Sequence, residues 1–257
     1  MTYCVGLLLD AGMVMLSDTR TNAGLDNIAS YRKMFVFEDP GERVIAIMAA
    51  GSLSVTQTTI ARLRDPIDHP ETTDVPSIMT APTMLQVAEI IGATLADVAG
   101  RISQKLAPMT EAANASLIVA GQRRGGRMRM FLIYPQGNFI EATSDTPYLQ
   151  IGEHKYGKPI LDRVVTQALP LRDAETVLLL SMDSTLRSNL SVGMPLDLVS
   201  IARDACRVTH ARRIDATDPD FAAMSEAWSQ TLRDGYRHIV QRGHVRTRDP
   251  ADQGSAA

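Results

Sequence analysis

Thr2 is the second residue of this chain, a position at which a threonine can become an N-terminal nucleophile. The sequence begins Met1-Thr2 and runs directly into an apolar segment, Tyr3–Leu9. Initiator methionine is generally removed when the next residue is small, so we expect Thr2 to become the first residue of the mature protein. A threonine with a free α-amine carries both nucleophile and base, because the hydroxyl can attack a carbonyl while the amine accepts its proton. An unperturbed α-amine has a pKa of about 7.7–8.0, close to the pH at which a general base is most effective.

Three further positions supply groups that a threonine nucleophile needs. Many proteins begin Met-Thr without using it, so these positions decide the interpretation. Asp18 follows the second predicted strand and Lys33 begins the third. A buried lysine beside the hydroxyl would stabilise the developing alkoxide, and a carboxylate would keep that lysine charged and oriented. Two unrelated surface charges are the alternative. Gly51 lies in a turn from strand to helix, where its amide could donate to an oxyanion.

The composition favours a globular protein without nucleic-acid or membrane partners. The 257 residues are 45% hydrophobic and 21% charged, with a formal charge of −3. The one basic run, residues 123–129, contains a Gly-Gly pair between apolar segments and indicates a solvated hairpin turn. The sequence has neither an apolar run of about 18 residues nor a secretory signal pattern, so we expect a cytoplasmic protein.

No metal site or cofactor is expected from the sequence. Cys4 and Cys206 have no metal-ligand spacing, and two cysteines are too few for a disulfide framework. The five histidines are scattered and form no motif of the metal-binding type.

The hydrophobic pattern predicts strands and helices in separate groups. Strands are predicted at 5–9, 13–17, 34–37, 44–49, 116–121, 128–134, 139–141 and 148–151, with a final strand at 196–201. Helices are predicted from two capping patterns, Ser54 to Gln57 and Thr83 to Gln86, and at 158–167, 173–188 and 218–240, with Asp173 as a cap.

The order of elements predicts an α+β fold rather than a doubly wound sheet. Strands come first, then two helices, more strands, two helices, a last strand and a terminal helix. Two stacked sheets with helices on both outer faces satisfy this order, whereas a doubly wound fold needs strand and helix to alternate. We expect one domain over residues 2–240 and a polar, disordered tail over 241–257.

In this order and spacing, the residues resemble the proteasome β-subunit family of N-terminal nucleophile (Ntn) hydrolases. The matching positions are Thr2, Gly6, Asp10-Ala11-Gly12, Ser17-Asp18-Thr19-Arg20, Arg32-Lys33-Met34 and Ala50-Gly51-Ser52. Residues 1–6, 20–24 and 151–159 look most like its bacterial Anbu branch, the ancestral β-subunit. The resemblance extends from Thr2 to about Val240.

The resemblance implies a four-layer αββα sandwich with Thr2 at the end of the first strand. It implies Thr2 as nucleophile and base, Asp18 and Lys33 as the activating pair, and Gly51 as oxyanion donor. Attack on an amide carbonyl would give an ester acyl-enzyme, which water resolves. A homo-oligomer, in a ring or an open spiral, is also implied. Most proteasome β-subunits expose the threonine by cleaving a propeptide; here removal of Met1 is expected to replace that step.

The chain departs from the family pattern at two places near the expected site. Glu153 stands where the family usually has a serine. An Asp-x-x-Ser pair that supports the amine aligns with Ser188 and Ser191, so the acid is absent; Ser191 is kept as a candidate site residue.

Three functions follow from these residues. The first is a self-assembling threonine peptidase or amidohydrolase. The second is an amide hydrolase or acyl transferase of narrow specificity, because Glu153 could select a cationic or small peptide metabolite. The third is a catalytically silent assembly scaffold. The sequence indicates neither the natural substrate nor an unfoldase partner.

Overall fold

An uninterrupted apolar pattern produces the two central strands of the first sheet. The computed structural model describes residues 1–22, 28–72, 76–106 and 113–242. In it, β1 (Tyr3–Leu9) and β2 (Gly12–Asp18) form an antiparallel hairpin in which Cys4 pairs with Ser17 and Leu9 with Gly12. Nearly every residue of both strands is buried, as expected for strands that are covered on both faces.

The remaining strands complete two five-stranded antiparallel sheets and a small ribbon. Their bounds are β3 (Arg20–Asn22), β4 (Ile28–Ser30), β5 (Met34–Asp39), β6 (Arg43–Gly51), β7 (Ala115–Arg123), β8 (Arg129–Ile133), β9 (Phe139–Glu141), β10 (Tyr148–Gly152), β11 (Leu196–Ala202) and β12 (His210–Ile214). The first sheet has the order β10-β1-β2-β11-β12 and the second the order β5-β6-β7-β8-β9, while β3 pairs with β4. This arrangement places the start of β1 beside the end of β10, since Tyr3 pairs with Gly152.

Helices cover the outer face of each sheet. Their bounds are α1 (Leu53–Asp68), α2 (Met84–Leu106), α3 (Lys158–Val164), α4 (Leu171–Ser188) and α5 (Pro219–Gln241). Helices α1 and α2 pack on the second sheet, whereas α4 packs on β1, β2 and β11 of the first and on α3. The two sheets face each other between these helical layers. The fold is therefore the predicted αββα sandwich.

A methionine-rich core separates the two sheets. Its methionines are Met13, Met15, Met34, Met48, Met128 and Met130. Unbranched thioether side chains fill irregular gaps, so they suit a seam between two twisted sheets. A second core joins the outer face of the second sheet to α1 and α2, with Ile45, Ile47 and Ile91 fully buried in it.

Helix α5 belongs to a separate unit that begins at Thr217; residues 1–216 form the other unit. Asp218 caps α5, because its side chain accepts a 3.0 Å hydrogen bond from the Phe221 N–H. This agrees with the predicted helix at 218–240. The expectation of one domain over 2–240 stays a prediction. Gln241 is the last residue of α5, and residues 243–257 of the predicted tail lie outside the described residues.

The strand predictions missed the strands whose hydrophobic pattern is weakest. The strand at 196–201 is not the last, because β12 follows it; His210, Arg212 and Arg213 give that edge strand no apolar alternation. The short β3–β4 ribbon was also missed. The hairpin turn predicted within 123–129 is confirmed: it joins β7 to β8, and the Gly126 N–H donates to the Arg123 carbonyl at 2.9 Å.

Helix starts were predicted less well than helix faces. Thr83 does cap α2, since its hydroxyl accepts from the Gln86 N–H at 3.1 Å. The pattern at Ser54 was wrong: α1 begins at Leu53 and Ser52 is the N-cap without a side-chain cap bond. Pro170, not Asp173, precedes α4, and Asp173 lies in the first helical turn, where an acid favours the helix dipole. Helix α3 ends at Val164 rather than at 167.

None of the helices within the described residues is long and apolar enough to cross a membrane.

Substitutions at two glycines of α2 test how closely this helix packs on the second sheet. A Cβ on Gly92 would lie 2.3 Å from the carbonyl oxygen of Gly137, in the turn between β8 and β9, whereas a Cβ on Gly100 would have no atom within 4 Å. We expect Gly92→Ala to lower the free energy of unfolding by about 1–3 kcal/mol through overpacking. Gly100→Ala should raise it by about 0.5–1 kcal/mol, because alanine is the better helix former. Urea denaturation of both variants measures the difference; equal effects would contradict the packing described for α2.

Candidate active site

A buried ion pair joins the end of β2 to the residue that precedes β5. The Lys33 ammonium lies 2.8 Å from Asp18 Oδ1, with 7% of the lysine side chain and none of the aspartate side chain exposed. Lys33 Nζ also donates to the backbone carbonyl of Arg20 at 2.6 Å. These two acceptors fix the position of the lysine, so the structure excludes the alternative of two unrelated surface charges.

Asp18 is held from three sides. Its Oδ1 also accepts the Tyr3 N–H at 3.1 Å, and its Oδ2 accepts the Gly193 N–H at 3.2 Å. Burial raises the pKa of the Asp18 carboxyl above its ordinary value, while the charge and hydrogen bond of Lys33 and the two backbone donors oppose that rise. The carboxylate therefore connects β1, the lysine and the segment before β11.

A cavity of about 350 Å³ opens beside Thr2. Its lining residues are Met1, Thr2, Thr21, Arg32, Lys33, Phe35, Ala49, Ala50, Gly51, Leu53, Thr56, Gln57, Gly152 and Glu153. Thr2 is 8% exposed, and it lies immediately before β1. The cavity wall thus brings together a threonine, a lysine and the ends of β6 and β10.

Gly51 places its backbone N–H on the cavity side of β6. The N–H of Ala49, two residues earlier, donates to the Lys33 carbonyl, and N–H groups of alternate strand residues point the same way. Ser52, one residue later, donates to Asn114 on the opposite side. Gly51 has φ +117°, and a Cβ there would lie 2.3 Å from the Asn114 oxygen, so only glycine fits.

The end of β10 is tied to Thr2 through the backbone. The Glu153 N–H donates to the Thr2 carbonyl at 2.7 Å. Gly152 has φ +82°, and a Cβ at that residue would come within 1.9 Å of the Thr2 oxygen. The close approach of β10 to Thr2 therefore requires a glycine.

The structure brings together four of the five predicted site residues. Thr2, Lys33 and Gly51 line one cavity, and Asp18 lies against Lys33. Ser191 does not line the cavity; its N–H donates to the side chain of Asn189 at 2.9 Å. It belongs to the segment that contacts Asp18 through Gly193, and its role stays a prediction.

Sequence reasoning missed the backbone groups that hold the site. Tyr3 and Gly193 act on Asp18 through their N–H groups, and such contacts leave no side-chain signal. The side chain of Tyr3 is also anchored: its hydroxyl lies 2.7 Å from Ser181 Oγ and accepts from Gln150 Nε2 at 2.6 Å. Burial raises the pKa of this tyrosine to about 12, against the opposing effect of the two hydrogen bonds.

An αββα sandwich with this cavity at the start of its first strand defines a proteasome-like Ntn hydrolase fold. Solved structures of the same fold narrow the class. Anbu (ancestral β-subunit) from Yersinia bercovieri superposes with a TM-score of 0.85 and 43% identity, over 92% of this chain and 96% of its own. Anbu from Hyphomicrobium sp. strain MC1 superposes with a TM-score of 0.82 and 46% identity, over 92% of this chain and 97% of its own. The Anbu complex from Pseudomonas aeruginosa was solved as a helical assembly. Its chain superposes with a TM-score of 0.86 and 43% identity, over 92% of this chain and 96% of its own.

The chain belongs to the Anbu family. Family models of sequence give no match to it, and neither do proteins of curated function.

The buried pair makes a pH-dependent prediction. Lys33→Met leaves the Asp18 carboxylate buried without its counter-charge, so we expect a loss of about 3–5 kcal/mol in the free energy of unfolding near neutral pH. Without Lys33, the pKa of Asp18 in the folded state rises further above its unfolded value. The folded variant then binds a proton that the unfolded chain releases above about pH 4, so its stability falls as pH rises through that window and recovers as pH falls.

Urea denaturation between pH 4 and pH 8 measures this effect, with two control variants. Lys158→Met removes the lysine of an exposed Lys-Asp pair of similar length, 2.7 Å, and should change stability by less than about 0.5 kcal/mol at any pH. Asp18→Asn added to Lys33→Met should remove most of the pH dependence. A pH-independent loss in Lys33→Met would contradict a buried charge at Asp18.

Proposed function

We propose that this protein is an N-terminal threonine hydrolase that attacks amide carbonyls through Thr2 after Met1 has been removed. The observation that carries the proposal is the convergence of Thr2, Lys33 and Gly51 on one cavity, with Asp18 holding Lys33 at 2.8 Å. Each group answers one chemical need of acyl transfer: a nucleophile, a positive charge near it, and a donor for the oxyanion.

Removal of Met1 creates the base. Met1 is 60% exposed, so an aminopeptidase can reach it. Hydrolysis of the Met1–Thr2 bond leaves an α-amine on the same residue as the hydroxyl. The Thr2 carbonyl stays bound to the Glu153 N–H, which keeps the new terminus in place.

Acyl transfer then proceeds in two balanced steps. Thr2 Oγ1 attacks the amide carbon as its proton passes to the α-amine. Lys33 stabilises the negative charge that develops on Thr2 Oγ1. The C–N bond breaks, the leaving amine takes the proton, and an ester on Thr2 remains. Water attacks that ester with the α-amine as base, releasing the acid and restoring the threonine hydroxyl.

The Gly51 N–H donates to the carbonyl oxygen in both steps. A fixed backbone donor at the place where negative charge develops typically contributes about 10²–10³ in rate. The strand geometry supports this role, because β5 begins at Met34 and provides no residue opposite Gly51.

Self-assembly is part of the proposal. The Pseudomonas aeruginosa relative forms a helical assembly, and this chain is 43% identical to it over 92% of its length. We infer that this chain also forms a homo-oligomer, in a ring or an open spiral. Peptides or amides are the substrate class, and the identity of an unfoldase partner is left open.

Thr2 acylation tests the catalytic proposal. A peptide β-lactone should add covalently to the Met1-free protein, because the Thr2 hydroxyl opens the lactone C–O bond and forms an ester. Intact mass, followed by peptide mapping, should show one adduct per chain on the first residue. Thr2→Ala, which still permits removal of Met1, should show none, while Thr2→Ser should keep at least a measurable adduct.

The same experiment separates the other functions. An adduct combined with inertness toward unfolded proteins, and turnover of one small amide, would favour a hydrolase or acyl transferase of narrow specificity. An intact oligomer that forms no adduct, or that retains Met1, would leave an assembly scaffold as the function and overturn the proposal. Far-UV circular dichroism of Thr2→Ala confirms that the variant is folded.

A further inference from the structure

Glu153 places a carboxylate at the cavity that contains the nucleophile. Its backbone N–H is bound to the Thr2 carbonyl at 2.7 Å, and both residues line the same cavity. The backbone of Glu153 therefore lies directly against Thr2, on the wall of the same cavity. The residue is half-buried, so solvent screens its charge incompletely.

The positive charge of Lys33 is already paired with the carboxylate of Asp18. Lys33 Nζ is bound to Asp18 Oδ1 at 2.8 Å and to the Arg20 carbonyl at 2.6 Å. In the described part of the chain, the carboxylate of Glu153 takes part in no ion pair or side-chain hydrogen bond. No side chain of the described residues thus pairs with it, which leaves the Thr2 α-amine of the Met1-free protein and a bound ligand as the groups that can.

Arg32 is the remaining charged side chain on the cavity wall, and it lies at the solvent side. Arg32 is exposed and also lines a neighbouring groove that contains Asp197. Burial raises the pKa of Asp197, and Arg213 and then Arg32 oppose that rise. Part of the field of Arg32 therefore acts on Asp197, outside the cavity of Thr2.

We propose that Glu153 makes this site select acyl donors that carry a cationic group, an ammonium or guanidinium, close to the scissile carbonyl. A carboxylate without a side-chain partner in a partly buried site gains most from a ligand of opposite charge. The proposal rests on Thr2 being the nucleophile and names the substrate class of that site.

Three acylating probes with the same electrophile test the selection. They are peptide β-lactones whose side group ends in an ammonium, a methyl or a carboxylate, and they react with the Met1-free, full-length protein. Intact mass gives the rate of Thr2 acylation for each probe. The ammonium probe should react about tenfold faster than the carboxylate probe at low salt, and the ratio should shrink as salt rises.

Substitutions locate the origin of the selection. Glu153→Gln should bring the ratio of the two rates close to one, and Glu153→Lys should invert it. Glu89→Gln removes a carboxylate from the exposed face of α2 that is not among the residues lining the cavity, and it should leave the ratio unchanged. Arg32→Gln should keep the cationic preference.

The outcomes distinguish this proposal from the one on which it rests. Absence of any Thr2 adduct with all three probes overturns the threonine hydrolase itself. Adducts that form at equal rates with all three probes overturn the selection and leave the hydrolase intact. An equal acceleration of all three probes in Glu153→Gln would show that Glu153 pairs with the Thr2 amine instead, and it too overturns the selection.

Discussion

The ion pair between Asp18 and Lys33 is the interaction on which the rest of the site depends. It joins the first sheet to the second, because Asp18 ends β2 and Lys33 immediately precedes β5. A buried ion pair contributes little net stability, since the desolvation of both charges offsets their attraction. Its value here is positional: the carboxylate also binds the Tyr3 and Gly193 amides, so one group sets the relative places of β1, the lysine and the segment before β11.

The ends of strands determine which groups reach the cavity. Thr2 precedes β1, Lys33 precedes β5, and Gly51 ends β6. A sandwich of two sheets brings these ends to one edge, although they are far apart in sequence. The methionine-rich core between the sheets fills the seam behind that edge, while Gly51 and Gly152 let backbones approach where any side chain would collide.

The fold class was predictable from the sequence, and so was the convergence of Thr2, Asp18, Lys33 and Gly51, although not the rest of the cavity lining. The grouping of strands and helices was enough for the sandwich, because each group buries one face of a layer. Thr2, Asp18, Lys33 and Gly51 were found because their side chains or turn position carry a chemical signal. Tyr3 and Gly193 were missed because they act through backbone amides, whose direction depends on the tertiary path of the chain. The edge strand β12 was missed because His210, Arg212 and Arg213 suit a solvated edge and break the apolar alternation.

The backbone contacts of Thr2 give the chain terminus an order that termini seldom have. The first residues of most domains are poorly ordered. Here Thr2 is 8% exposed, its carbonyl is bound by Glu153, and the next amide is bound by Asp18. The conformational entropy of this segment is therefore lost when the protein folds, and not again when a substrate binds. In the proposed reaction, a Thr2 hydroxyl that is already held in place would present a high effective molarity to a carbonyl in the cavity, which a freely moving chain end cannot do.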